Sequence, residues 1–163
     1  RASFDALTEL YNRETIESQI DNEITLSEAR KSEMAVLFID VDDFKHYNDQ
    51  YSHATGDQVL KFVARTIKGT VNEFGFAGRY GGDEFIACIR NAEINDPTRA
   101  AQDIISKLEE GFECDGVHLT VSVSIGISMI KDDYNTRVEY IIGKADDAMY
   151  SVKKNGKSNY AFI

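Results

Sequence analysis

Apolar residues along this chain switch repeatedly between a helical and a strand period. Ile16, Ile20 and Ile24 lie four apart behind Asn12, which predicts a helix capped by that asparagine. Residues 34–39 are all apolar, the pattern of a strand buried on both faces, and the run ends in Asp40-Val41-Asp42-Asp43. Residues 42–51 are polar and read as a short helix or turn. Gly56-Asp57 open a longer helix with Val59, Leu60, Val63, Ala64 and Ile67 on one face. Two apolar runs, 75–80 and 84–90, flank a glycine pair. They predict a hairpin with a tight two-residue turn, for which the glycines supply φ > 0. Asp96-Pro97 provide an N-cap and a first-turn proline for a helix carrying Ala100, Ile104, Ile105 and Leu108. Residues 117–130 alternate from Val117 to Met129, as one long strand or two joined by a turn or bulge. Thr136 starts a last helix through Ile141, Ile142, Ala145, Ala148, Met149 and Val152, Gly156 ends it, and residues 160–163 read as a final strand.

The centre of this order is βαββαβ, so the expected class is α/β (α+β): a ferredoxin-like core sheet flanked by helices. The palm domains of nucleotide cyclases and polymerases share that layout, an analogy of fold alone.

Composition narrows the choice. The 163 residues suit one domain, 1–163, and a 42% hydrophobic content allows a sizeable core. The net charge of −10 argues against a nucleic acid polymer as partner but not against a small nucleotide whose charge a metal neutralises. Cys88 and Cys114 form neither a zinc nor a disulfide pattern. Cys88 lies in an apolar run as buried filler, and a cytoplasmic location is expected. No apolar stretch approaches the length of a membrane span, so this domain is expected to make no membrane contact. The chain opens on Arg1 and not Met, which suggests a piece of a longer sensor protein whose other parts could include an upstream regulatory domain and a membrane anchor.

The chemistry is concentrated in Arg79-Tyr80-Gly81-Gly82-Asp83-Glu84-Phe85, where two glycines meet two carboxylates between apolar runs. If the strand ending at Asp40 lies beside this hairpin, Asp40 and Asp83 can share a cation. Without one, two carboxylates ~4 Å apart repel by about 1 kcal/mol in water and about 4 kcal/mol at an effective dielectric of 20. An oxygen-only set suits Mg²⁺ or Mn²⁺ and not zinc. Asp42, read as pointing to the other side of the strand from Asp40, is assigned a structural hydrogen-bonding role or a weaker site role. His46 and His118 are treated as incidental.

With these elements in place, the chain resembles the GGDEF family, the diguanylate cyclases. Residues 5–13 (DALTELYNR) look like the family's entry motif and residues 38–45 (FIDVDDFK) like its first metal strand. Asn48-Asp49, His53 and Gly56-Asp57 match its nucleotide-binding segment, the hairpin carries the signature, residues 120–127 match its T-x-S-x-G strand, and Ala145-Asp146 through Lys157 match its last helix. The resemblance covers nearly the whole chain. It implies condensation of two GTP molecules to cyclic di-GMP across a two-fold homodimer, with Mg²⁺ or Mn²⁺, two per site.

By the same resemblance, Asp40 and Asp83 would bind metal through side chains and Val41 through its carbonyl. Asp83 or Glu84 would deprotonate the 3′-hydroxyl, a choice left open, and Lys45 is counted with them as catalytic. Asp43 and Phe44 would offer backbone N–H groups to phosphate, while Lys45, Lys153 and Lys157 would supply positive charge. Asn48 and Asp57 would read guanine, and His53 would contact the nucleotide. Gly81 and Gly82 would let the backbone approach it, and Arg79 would touch product or brace the hairpin. Asn72-Glu73-Phe74-Gly75 replaces the family's R-x-x-D inhibitory site, so product feedback through it should be absent or weak. Ser52 replaces the usual glycine before His53. The competing readings are a non-catalytic GTP-binding module and a cyclase of relaxed base choice.

Overall fold

The computed structural model describes residues 2–163. Five strands form one sheet: β1 (Met34–Val41), β2 (Gly75–Arg79), β3 (Glu84–Arg90), β6 (Val123–Ile130) and β7 (Tyr160–Phe162), in the order β2-β3-β1-β6-β7. The first four are antiparallel and follow the ferredoxin-like order, and β7 adds a parallel edge beside β6. A small separate hairpin pairs β4 (Phe112–Cys114) with β5 (Val117–Leu119).

Helices cover both faces of the sheet, which explains why a central antiparallel strand is apolar throughout instead of alternating. Ala35, Leu37 and Ile39 face the core built with α3 (His53–Val71) and α4 (Pro97–Glu110). Met34, Val36 and Phe38 face the other, built with α1 (Arg13–Arg30) and α5 (Val138–Lys154). A Cβ on Gly126 would overlap the Ala145 carbonyl oxygen and the Met149 nitrogen, so α5 packs directly on the β6 backbone. That contact fixes where the C-terminal end of α5 meets the end of β1.

Several boundaries differ from the sequence reading. α3 begins at His53, three residues early, because Ser52 caps it by accepting from Thr55 N–H (3.1 Å). α5 begins at Val138, because the Thr136 hydroxyl closes a preceding turn by donating to the Asp133 carbonyl (2.8 Å). The alternating stretch 117–130 is divided between two sheets. Its first part folds back on β4 across Asp115-Gly116, both at positive φ (50° and 80°).

The signature hairpin does not use a two-residue turn. Residues 80–83 connect β2 to β3, closed by Tyr80 N–H and Gly81 N–H both donating to the Glu84 carbonyl (2.8 and 3.2 Å). This longer connection needs no mirror-image turn, and neither Gly81 nor Gly82 adopts a positive φ. The outer edge of β2 is covered by the N-terminal segment: Arg79 N–H donates to the Tyr11 carbonyl (2.9 Å), and Tyr11 bridges Gly78 in parallel.

Candidate active site

The end of β1, the start of β3, the short helix α2 (Phe44–Gln50) and the C-terminal end of α5 converge on one corner. Asp40 is the ladder partner of Glu84 on β3 and of Ser124 on β6, and Val41 N–H donates to the Asp83 carbonyl (3.1 Å). The strand terminus and the hairpin acids therefore meet.

Asp40 is mostly buried, with its side chain 17% exposed. Its Oδ2 accepts from Lys153 Nζ (3.1 Å), while its Oδ1 is buried with no hydrogen-bond partner. Burial, then the nearby charge of Asp83, push its carboxyl up to about 6, against the opposing pull of Lys153. Glu84 is also raised, by burial and then by Asp146 and Asp83. Asp146 itself is raised by burial and by Asp147. It is a member of this corner to which the sequence reading assigned no role. The available signal was its place on α5, seven residues before Lys153 and so on the same helical face.

Asp42 differs. It is buried and receives the hydroxyls of Ser122 (2.5 Å) and Ser124 (2.7 Å), Ser158 N–H (3.1 Å) and Lys153 Nζ (3.0 Å). Burial pushes its carboxyl up, but the two serines and Lys153 outweigh that and hold it below the usual carboxylate range. The expectation that Asp42 points away from Asp40 is wrong. The side-chain period of two carries from Asp40 on β1 to Asp42 just past its end, and both acids bind the same ammonium.

The other expected residues lie on or beside α2, α3 and the end of α5. Lys153 reaches Asp40, Asp42 and the Val41 carbonyl (3.2 Å), so its three donors are all directed at the β1 end. Lys157 is exposed and pairs with Asp43 (2.9 Å), which precedes α2 in a left-handed conformation (φ 54°) and makes no side-chain cap bond. Phe44 begins that helix and Lys45 extends from it into solvent. Asn48 packs on Gly56, where any Cβ would overlap its Oδ1, so the α2–α3 contact brings Asn48 close to the exposed Asp57. His53 is exposed on the first turn of α3.

At the hairpin, a Cβ on Gly81 would overlap Glu84 Oε1, whereas one on Gly82 meets open space. Gly81 thus makes room for the Glu84 carboxylate. Arg79 braces the turn, donating to the Gly81 and Gly82 carbonyls (3.2 and 2.8 Å). A Cβ on Gly75 would overlap the Cys88 carbonyl oxygen, so the aspartate of an R-x-x-D site has no room on this backbone. His118 hydrogen-bonds to Glu113 and to the Glu110 carbonyl in the small hairpin, away from these acids.

Among the described residues, no three His, Cys, Asp or Glu side chains stand together as a complete metal centre. The corner instead offers a partnerless buried carboxylate oxygen, a neighbouring aspartate and a backbone carbonyl. That hard-oxygen set fits an Mg²⁺ or Mn²⁺ whose remaining ligands come from a bound phosphate and water.

The family model described as "Diguanylate cyclase, GGDEF domain" matches residues 2–159. The chain belongs to the GGDEF family. The GGDEF domain is 35% identical over 162 residues to the bifunctional diguanylate cyclase/cyclic di-GMP phosphodiesterase MucR of Pseudomonas aeruginosa, covering 99% of this chain and 24% of that protein. It spans 20–24% of the length of the first curated relatives. Among solved structures it is similar to the GGDEF domain of YfiN (TpbB) from Pseudomonas aeruginosa, with a TM-score of 0.91, 33% identity and 98% and 94% of the two chains covered. The GGDEF domain of DgcB from Caulobacter crescentus, solved in complex with c-di-GMP, gives a TM-score of 0.90 at 25% identity, covering 99% and 96%. Among the described residues, no helix is long and apolar enough to cross a membrane.

Proposed function

We propose that this GGDEF domain is a diguanylate cyclase that joins two GTP molecules into cyclic di-GMP and releases two pyrophosphates. The observation that carries the reading is the meeting of Asp40 and Asp83 with one buried carboxylate oxygen left unpartnered. Leaving a buried charge partly unpaired costs stability, and a site that receives a cation gives it a purpose.

In this reading Asp40, Asp83 and the Val41 carbonyl hold Mg²⁺ or Mn²⁺, two ions per site. When bound, the metal neutralises the triphosphate and lowers the barrier to deprotonating the attacking hydroxyl. Phosphoryl transfer needs positioning and charge stabilisation more than covalent chemistry. The 3′-oxygen of one GTP bonds to the α-phosphorus of the other as the bond to pyrophosphate breaks. Glu84 takes the hydroxyl proton, since burial and its acidic neighbours raise its affinity for one. Lys45, Lys157 and the N–H groups of Asp43 and Phe44 bind phosphate. Lys153 orients the β1 end and faces the same charge. Asp57 and Asn48 accept and donate at the guanine edge, where a carboxylate suits N1–H and the exocyclic amine, and His53 contacts the nucleotide.

Each domain holds one GTP, so turnover requires a two-fold homodimer. GTP supply makes the cytoplasm the compartment, and an upstream regulatory domain would control pairing. Feedback through an R-x-x-D site should be absent or weak, since Asn72 and Gly75 replace its charged members.

The test is product formation from GTP with Mg²⁺ or Mn²⁺ over a protein dilution series. Activity per chain should rise with concentration. No product from an enforced dimer would reject the proposal, and GTP binding without turnover would replace it with a non-catalytic module. Competition between equal ATP and GTP checks the base assignment.

A further inference from the structure

Among the described residues, side chains of the N-terminal segment hold the hairpin that carries Asp83 and Glu84 from its outer side. Two grips act on consecutive residues. At Arg79, the guanidinium spans Asp5 on one side (3.3 Å to each carboxylate oxygen) and the Gly81 and Gly82 carbonyls on the other. Asp5 is itself fixed, accepting Thr8 N–H (2.9 Å) and the Thr8 hydroxyl (2.7 Å). At Tyr80, the phenol donates to Glu17 (2.9 Å) and accepts from Arg13 (3.2 Å), whose guanidinium also lies 4.0 Å above the ring. The inner side of Tyr80 meets the buried Phe38 edge-on (5.7 Å).

We propose that residues 5–17 are a positioning arm for the catalytic hairpin, with Asp5 acting through Arg79 and the Arg13–Glu17 pair acting through Tyr80. The arm fixes the hairpin from the solvent side while the Val41 N–H to Asp83 carbonyl bond fixes it from the sheet side. A displacement of the N-terminal turn would therefore be felt at the two carboxylates without passing through the core. Arg79 is suited to this because its planar fork directs donors at a carboxylate on one edge and at two carbonyls on the other, in a fixed geometry. Asp5, Arg13 and Glu17 touch none of the residues proposed to bind GTP, and Arg79 meets Gly81 and Gly82 only at their carbonyl oxygens, so the arm should affect turnover and not substrate affinity.

The kinetic readout rests on the cyclase proposal, and a second readout does not. In Asp5→Asn and Tyr80→Phe, kcat should fall roughly 10-fold, because small misplacement of reacting groups is costly. KM for GTP and the melting temperature should stay unchanged. Tyr80→Phe keeps the ring packing and removes only the hydroxyl link. Independently, amide exchange over residues 80–84 should become several-fold faster in both variants, while the β1–β6 ladder keeps its protection. Unchanged kcat and unchanged exchange would overturn the proposal. So would a kcat loss accompanied by an equal rise in KM or a lower melting temperature, which would indicate a merely structural role. If the wild-type domain makes no product, the exchange measurement still decides: acceleration confined to 80–84 supports the arm, and its absence rejects it.

Discussion

Asp40 and Asp42 stand two residues apart at the end of β1 and share one lysine, yet their surroundings are opposite in kind. Asp42 is buried and has partners for both oxygens: two serine hydroxyls, a backbone N–H and the Lys153 ammonium. Asp40 has the same ammonium, an oxygen with no partner, and Asp83 and Glu84 as like-charged neighbours. Hydrogen bonding holds the first carboxyl down, and burial with repulsion pushes the second up. A saturated carboxylate organises the loop at Ser158 and the start of β6. The other keeps one buried oxygen without a hydrogen-bond partner.

The largest expected difference is in activity. Asp40→Asn should lower cyclic di-GMP formation by roughly 10³-fold, the scale of losing a main electrostatic contact in a dry site. The same variant should make the metal-free domain more stable at pH 7, because the charged form is disfavoured in the folded state. A carboxyl held at about 6, against 3.8 in the unfolded chain, sets a ceiling of about 3 kcal/mol on that gain. Chemical denaturation without metal checks it, and a loss of stability would erase the proposed contrast.

Asp42→Ala should do the reverse. It removes one partner from a buried network and should cost about 3–5 kcal/mol of stability. Activity should fall only as far as Lys153 and Ser158 are displaced. A near-neutral melting temperature would show that Asp42 is not the structural member of the pair.

The two acids also have opposite pH signatures. Asp40 is raised, so its contribution is fully present below pH 3.8 and is lost as pH rises through about 6. Asp42 is lowered, so its contribution is present above pH 3.8 and is lost as pH falls through its folded value. Stability–pH curves of the metal-free domain should therefore lose their pH 4–6 decline in Asp40→Asn and part of their acid limb in Asp42→Asn. Adding Mg²⁺ at 100 times its dissociation constant should stabilise the wild type at pH 7 by about 2.7 kcal/mol and Asp40→Asn by much less.

The smallest contrast is between the glycines. Gly81→Ala forces the Glu84 carboxylate aside and should reduce kcat by roughly 10-fold. Gly82→Ala meets open space and should leave the fold and the free-enzyme hairpin unchanged. An equal loss in both would indicate that the pair serves nucleotide approach and not the placement of Glu84.

Much of this was legible beforehand. The all-apolar run 34–39 marked a strand covered on both faces, and the Asp96-Pro97 and Asn12 signals marked helix starts where they occur. The meeting of β1 with the hairpin stood as a condition in the sequence, and the β1–β3 ladder meets it. Gly56-Asp57 read as the opening of α3, whereas Ser52 supplies the cap three residues earlier and Gly56 is needed to fit Asn48. The turn type was misread because a glycine pair suggests positive φ, while here the first glycine relieves a side-chain overlap.

By itself, the sequence determined which residues are apolar at which period, where the chain must turn, and that two acidic clusters end apolar strands, because these are local properties of composition and spacing. Only the tertiary structure decided which acid is satisfied and which is not. That depends on Ser122, Ser124, Ser158 and Lys153 arriving from elsewhere in the chain to crowd one carboxylate, while Asp83, Glu84 and Asp146 gather around the other. The balance of desolvation against hydrogen bonding is set by neighbours distant in sequence, and no local pattern records it.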